Sequence, residues 1–78
     1  MNSLSKKLSL CRTYVDLAEK AAIDLYYDES NMLWKKAANI SSDLLTNNDH
    51  ASFLDEEYKF LIYIENHFKD VNNETDYN

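Results

Sequence analysis

No glycine and no proline occurs anywhere in these 78 residues, and that absence constrains the fold more than any motif does. Hairpin sheets draw on glycine for the positive φ of their tight turns. Here any such turn is expected to fall to Asn or Asp. Helices, by contrast, lose nothing, since the two residues that break them from within are missing. The fold class expected is all-α, as three helices joined by short polar loops. Residues 1–70 form a single helical domain, and the polar, acidic residues 71–78 form a disordered tail.

The apolar spacing places the helices. The first is expected from a cap at Asn2 or Ser3 to about Tyr26, with Leu4, Leu8, Cys11, Val15, Ala18, Ala22 and Leu25 along its inner face. Leu10, Tyr14, Leu17 and Ala21 lie beside that face, so it covers about half the circumference, wider than one coiled-coil seam. Asp28 suits the N-cap of a second helix, with Leu33, Trp34, Ala37, Ile40, Ser41, Leu44 and Leu45 turned inward. Thr46-Asn47-Asn48-Asp49 breaks the pattern, and a third, longer helix is expected from about Asp49 to Lys69.

Tyr27, Ser30, Trp34 and Ala37 stand 3, 4 and 3 residues apart, which puts them on one side of the second helix. A large flat ring among small residues lets two helices approach closely without a gap. With Tyr14, Leu17, Ala18 and Ala21 on the first helix, the pattern resembles one antiparallel tetratricopeptide-type helix pair. Leu25 stands where that repeat usually has Gly, and Ser42 where it usually has Pro. Only one copy is present, so the pair needs another surface to cover it, a third helix or a partner chain.

Charge and chemistry narrow the function. Net charge is −6, with the imbalance in the second half, where Lys59 and Lys69 face nine acids over residues 37–78. Such a half repels phosphate, so no direct nucleic-acid binding is expected. Lys6, Lys7 and Arg12 form the one basic group that could contradict this. Cys11 is the sole cysteine, falls in an apolar stripe, and reads as a small buried hydrophobe in a reducing, cytoplasmic setting. No apolar run has the length of a membrane span, so no membrane contact is expected.

Catalytic, cofactor and metal motifs are absent from the pattern. His50 and His67 stand 17 residues apart on the expected third helix, too far to share a metal. Neither glycine-rich phosphate loops nor Cys-x-x-Cys pairs can be written from these residues. The chain reads as a binding protein and not an enzyme.

The third helix has more apolar surface than one face holds. Ala51, Leu54, Tyr58, Leu61, Ile62 and Phe68 form one stripe, and Phe53, Phe60, Ile64 and His67 a second. The second stripe is the candidate partner-binding or dimer surface, and its spacing predicts a homodimer seam.

The same residues resemble the ANR family, small bacterial negative regulators of AraC-type transcription activators. Ala18-Glu19 matches that family's first helix, and Tyr27, Ser30, Trp34 and Ala37 match its Tyr-x-x-Ala-x-x-x-Trp-x-x-Ala segment, with Ser for the first Ala. Asn47 would be the turn residue and Ala51 a following small position. The family usually has Trp, Arg and Cys after that turn, where this chain has His50, Leu54 and Tyr58. The resemblance spans about Ala18 to Ala51 and implies a cytoplasmic repressor that binds an AraC-type activator without touching DNA. The alternative from charge and size alone is a chaperone or immunity-type partner of a secreted effector or toxin.

Overall fold

A computed structural model describes the backbone from Ser3 to Asp76 and the side chains from Ser3 to Phe68. Three helices make up the fold: α1 (Ser3–Ile23), α2 (Tyr27–Asn47) and α3 (Asp55–Asp76). A 3₁₀ turn at His50–Ser52 lies between α2 and α3, and no strand occurs among the described residues. The architecture is all-α.

α2 is the central element, packed along α1 on one side and along α3 on the other. α1 and α2 run antiparallel. Lys7 near the start of α1 pairs with Asp43 near the end of α2, while Ser30 near the start of α2 reaches Ala18 on the second half of α1. Cys11, Val15 and Ala18 from α1, Trp34, Ala37, Ala38 and Leu44 from α2, and Leu61 and Ile64 from α3 form one continuous core, with Phe53 beside them. Small residues dominate the α1–α2 contact, which lets the two backbones come close.

That approach is close enough for side chains to bond the neighbouring backbone. The Cys11 thiol donates to the Ala37 carbonyl at 3.3 Å, and the Ser30 hydroxyl donates to the Ala18 carbonyl at 2.8 Å. On the other side of α2, the Ser41 hydroxyl donates to the Leu61 carbonyl at 3.0 Å. Each of these polar groups is buried, and each is satisfied across a helix–helix contact.

The helix ends depart from the sequence reading in instructive ways. α1 stops at Ile23, three residues early, because Leu25 takes a left-handed conformation with φ of 69°. The Leu25 N–H then bonds the Ala22 carbonyl at 3.0 Å and the Tyr26 N–H bonds the Ala21 carbonyl at 2.8 Å, the pair of bonds of a Schellman motif. A residue other than Asn or Asp therefore carries the positive φ. It is Leu25, where a tetratricopeptide-type pair usually places Gly. Tyr26, not Asp28, is the N-cap of α2; its carbonyl accepts the first helical bond from Ser30 N–H at 2.9 Å. Asp28 lies in the first turn with Glu29, where both carboxylates oppose the positive end of the helix dipole.

α3 begins at Asp55, six residues later than the pattern predicts. The intervening residues form the 3₁₀ turn and an extended Phe53 (φ −112°, ψ 150°). Glu57 reaches back to accept the Leu54 N–H at 2.8 Å, half of a capping box around an apolar N-cap. At its other end α3 continues to Asp76, through residues 71–76 that the sequence assigns to a frayed tail. Neither Gly nor Pro is there to stop it. Residues 77 and 78 of that expected tail lie outside the described residues.

Candidate protein-binding site

The helix-pair motif divides into an inner and an outer set. Ala18, Ala21, Ser30, Trp34 and Ala37 are buried and Tyr14 is half-buried. Leu17 and Tyr27 are exposed, so Tyr27 does not share the buried side with Trp34. It is the first residue of α2, and the stripe turns inward only one turn later at Ser30.

Trp34 is 6 % exposed and its ring faces α3. His67 stacks on its ring with centroids 3.8 Å apart, and Tyr63 meets it edge-on at 6.1 Å. This pairing consumes part of the stripe expected to be a dimer seam. Phe53 and Ile64 are buried in the single chain, while Phe60 and His67 are half-buried. Phe60 lies beneath the Arg12 guanidinium, 4.6 Å from its ring centroid. The seam of Phe53, Phe60, Ile64 and His67 is therefore no free partner or dimer surface in the folded chain. The late start of α3 accounts for Phe53, while Ile64 and His67 lie on the face of α3 that packs on α2. Residues 50–54 are out of helical phase with α3, so Phe53 swings into the core while Ala51 and Leu54, from the supposed inner stripe, face outward.

The basic group also disperses. Lys7 forms an exposed ion pair with Asp43 of α2 at 2.8 Å, whereas Arg12 covers Phe60 of α3. The bond from Lys7 holds the Asp43 carboxyl below its ordinary pKa. Cys11 is fully buried, and burial pushes its thiol up to about 11, with the Arg12 charge opposing and the Glu65 charge adding to the rise. At neutral pH it stays protonated and is no nucleophile. His50 stacks on Tyr58 at 3.8 Å. Among the described residues, no group of three or more His, Cys, Asp or Glu is placed to hold a metal ion, and no helix is long and apolar enough to cross a membrane. One oxygen of Glu65, Oε1, is buried without a hydrogen-bond partner.

The exposed apolar surface collects instead at the α1–α2 turn. Ile23 is 79 % exposed, Leu25 69 %, and Tyr26 and Tyr27 about 60 % each, with Leu17 exposed beside Tyr26. Two grooves meet at Tyr26. One, of about 250 Å³, has Leu17, Tyr26 and Leu33 as its apolar wall; the other, of about 350 Å³, runs over Leu25, Tyr26 and Tyr27. Sequence spacing assigned Leu25 to the inner face of α1 and so missed this surface. A signal was available. Ile23, Leu25, Tyr26 and Tyr27 crowd four bulky side chains into five residues, more than one helix face can turn inward.

No family model, curated protein or solved structure matches this chain.

Proposed function

We propose that this chain is a small regulatory protein that inhibits a transcription activator of the AraC type by direct protein–protein contact. The observation that carries the contact reading is the exposed cluster Ile23, Leu25, Tyr26 and Tyr27, since an apolar patch on a small protein marks an interaction surface. The class of partner rests on the resemblance of Ala18-Glu19, Tyr27, Ser30, Trp34 and Ala37 to the ANR family pattern. At Ser30 the chain has a hydroxyl where that pattern has Ala, and the hydroxyl bonds the Ala18 carbonyl across the pair. That bond adds to the contact between α1 and α2. In this reading the chain acts in the cytoplasm and does not bind DNA itself.

A tagged pull-down from the native host, with bound proteins identified by mass spectrometry, tests the proposal. It expects an AraC-type activator in the eluate. Recovery of a secreted or toxic protein with no transcription factor would overturn it in favour of a chaperone or immunity role.

A further inference from the structure

The turn that joins α1 to α2 is apolar where such turns are ordinarily polar. Ile23, Leu25, Tyr26 and Tyr27 all project into solvent, and Leu25 does so from a left-handed conformation that its Cβ disfavours. Glycine or asparagine would close the same turn without that cost.

The two grooves beside Tyr26 have a bias in charge. Asp24 and Glu29 border the first, together with Lys20, and Asp28 and Glu29 border the second. Three carboxylates thus stand against one ammonium around apolar ground. None of the three has an ion-pair partner among the described residues, where the only such pair is Lys7 with Asp43.

We propose that this turn is the docking site for a cationic amphipathic helix of a partner protein. Bulky apolar side chains of that helix enter the grooves on either side of Tyr26, and its Lys or Arg residues meet Asp24, Asp28 and Glu29. The inference rests on the proposed function's reading that the chain works by contact, and it names the surface and the chemistry of the partner. A second copy of this chain fits poorly, because it would bring the same three carboxylates against one another. Anionic lipid is repelled by the same charges. Strand addition is unavailable, because the neighbouring backbone is hydrogen-bonded within helices.

The probe is a synthetic amphipathic helix of Leu and Lys, with a Leu and Glu helix of the same apolar pattern as its counterpart, read by fluorescence anisotropy at low salt. The whole chain is expected to bind the Leu/Lys helix at least about tenfold more tightly than the Leu/Glu helix. The combined Leu25→Asn and Tyr26→Gln variant keeps a residue that tolerates the left-handed turn, so it should fold as well as the parent and bind about tenfold more weakly. Asp24→Asn with Glu29→Gln should also weaken binding. Asp55→Asn with Glu56→Gln, at the start of α3, should not.

Unchanged affinity in the Leu25/Tyr26 variant overturns the proposal. So does equal weakening by the Asp55/Glu56 variant, which would reveal attraction to an acidic chain at large. Binding to neutral phosphatidylcholine vesicles, lost in the Leu25/Tyr26 variant and unaccompanied by Leu/Lys helix binding, overturns it in favour of a membrane surface. The two readings separate cleanly. A Leu25/Tyr26 variant that still recovers an AraC-type activator overturns this surface and leaves the proposed function standing. The peptide result with no activator recovered by the parent chain does the reverse.

Discussion

The two connections between helices solve the same problem in opposite ways. The first, around Leu25, closes in three residues, holds a branched side chain in a left-handed conformation and turns its apolar residues outward. The second, residues 48–54, is longer, mostly polar, and places its one aromatic residue, Phe53, in the core. Polar composition alone does not say which connection is a mere link. The second one supports α3 and leaves Leu54 as its one bulky apolar side chain outside, whereas the first presents several that the fold does not use. Apolar surface that contributes nothing to the core and sits on a strained backbone is a stronger pointer to binding than either feature alone.

The contrast has a yardstick in Trp34, held between the connections. Trp34→Ala removes the ring that stacks on His67 and meets Tyr63, and should cost about 3–5 kcal/mol. Because so small a domain has about 5 kcal/mol or a little more in hand, a denaturant melt should show it largely unfolded. Phe53→Ala comes next, at about 3 kcal/mol by the same measurement. A cost under about 0.5 kcal/mol would place Phe53 among ordinary surface positions and break the comparison.

Repairs at the connections should have the opposite sign. Leu25→Gly relieves the left-handed strain and should raise stability by about 1 kcal/mol, partly offset by the greater freedom of glycine in the unfolded chain. Calorimetry would show it as a higher Tm, and a lower Tm would mean that the Leu25 side chain packs in the fold after all. Leu54→Ser supplies the hydroxyl that the half-formed capping box lacks and should add somewhat less than 1 kcal/mol. Smallest of all, Ile23→Ser should leave stability within about 0.5 kcal/mol, because that side chain is 79 % exposed. Its effect belongs to binding.

Much of the interior was legible from spacing. Cys11, Val15 and Ala18, then Trp34, Ala37, Ser41 and Leu44, follow helical periodicity, and all are buried. Periodicity is local, and these residues lie well inside their helices. It failed where a helix begins or ends. Counting α3 from Asp49 put Leu54 inside and left Phe53, Phe60, Ile64 and His67 as a spare stripe. A start at Asp55 reverses Phe53 and Leu54, while packing on α2 and α1 takes up the rest of the stripe: Ile64 in the core, His67 on Trp34 and Phe60 beneath Arg12.

The sequence by itself determined the class: without Gly or Pro, and with apolar residues recurring every three or four positions, this chain forms helices and little else. It also determined the small residues and the Ser30 hydroxyl that line the α1–α2 contact, because spacing within one helix is set by backbone geometry. Only the tertiary structure decided which bulky side chains were left over. Whether Phe53 or Leu25 is buried depends on where α1 stops, how the chain re-enters α2, and which side of α2 receives α3. The helix ends are set by turn bonds outside the helical repeat, and the side of α2 by contacts between residues far apart in the chain; no periodicity within a helix encodes either.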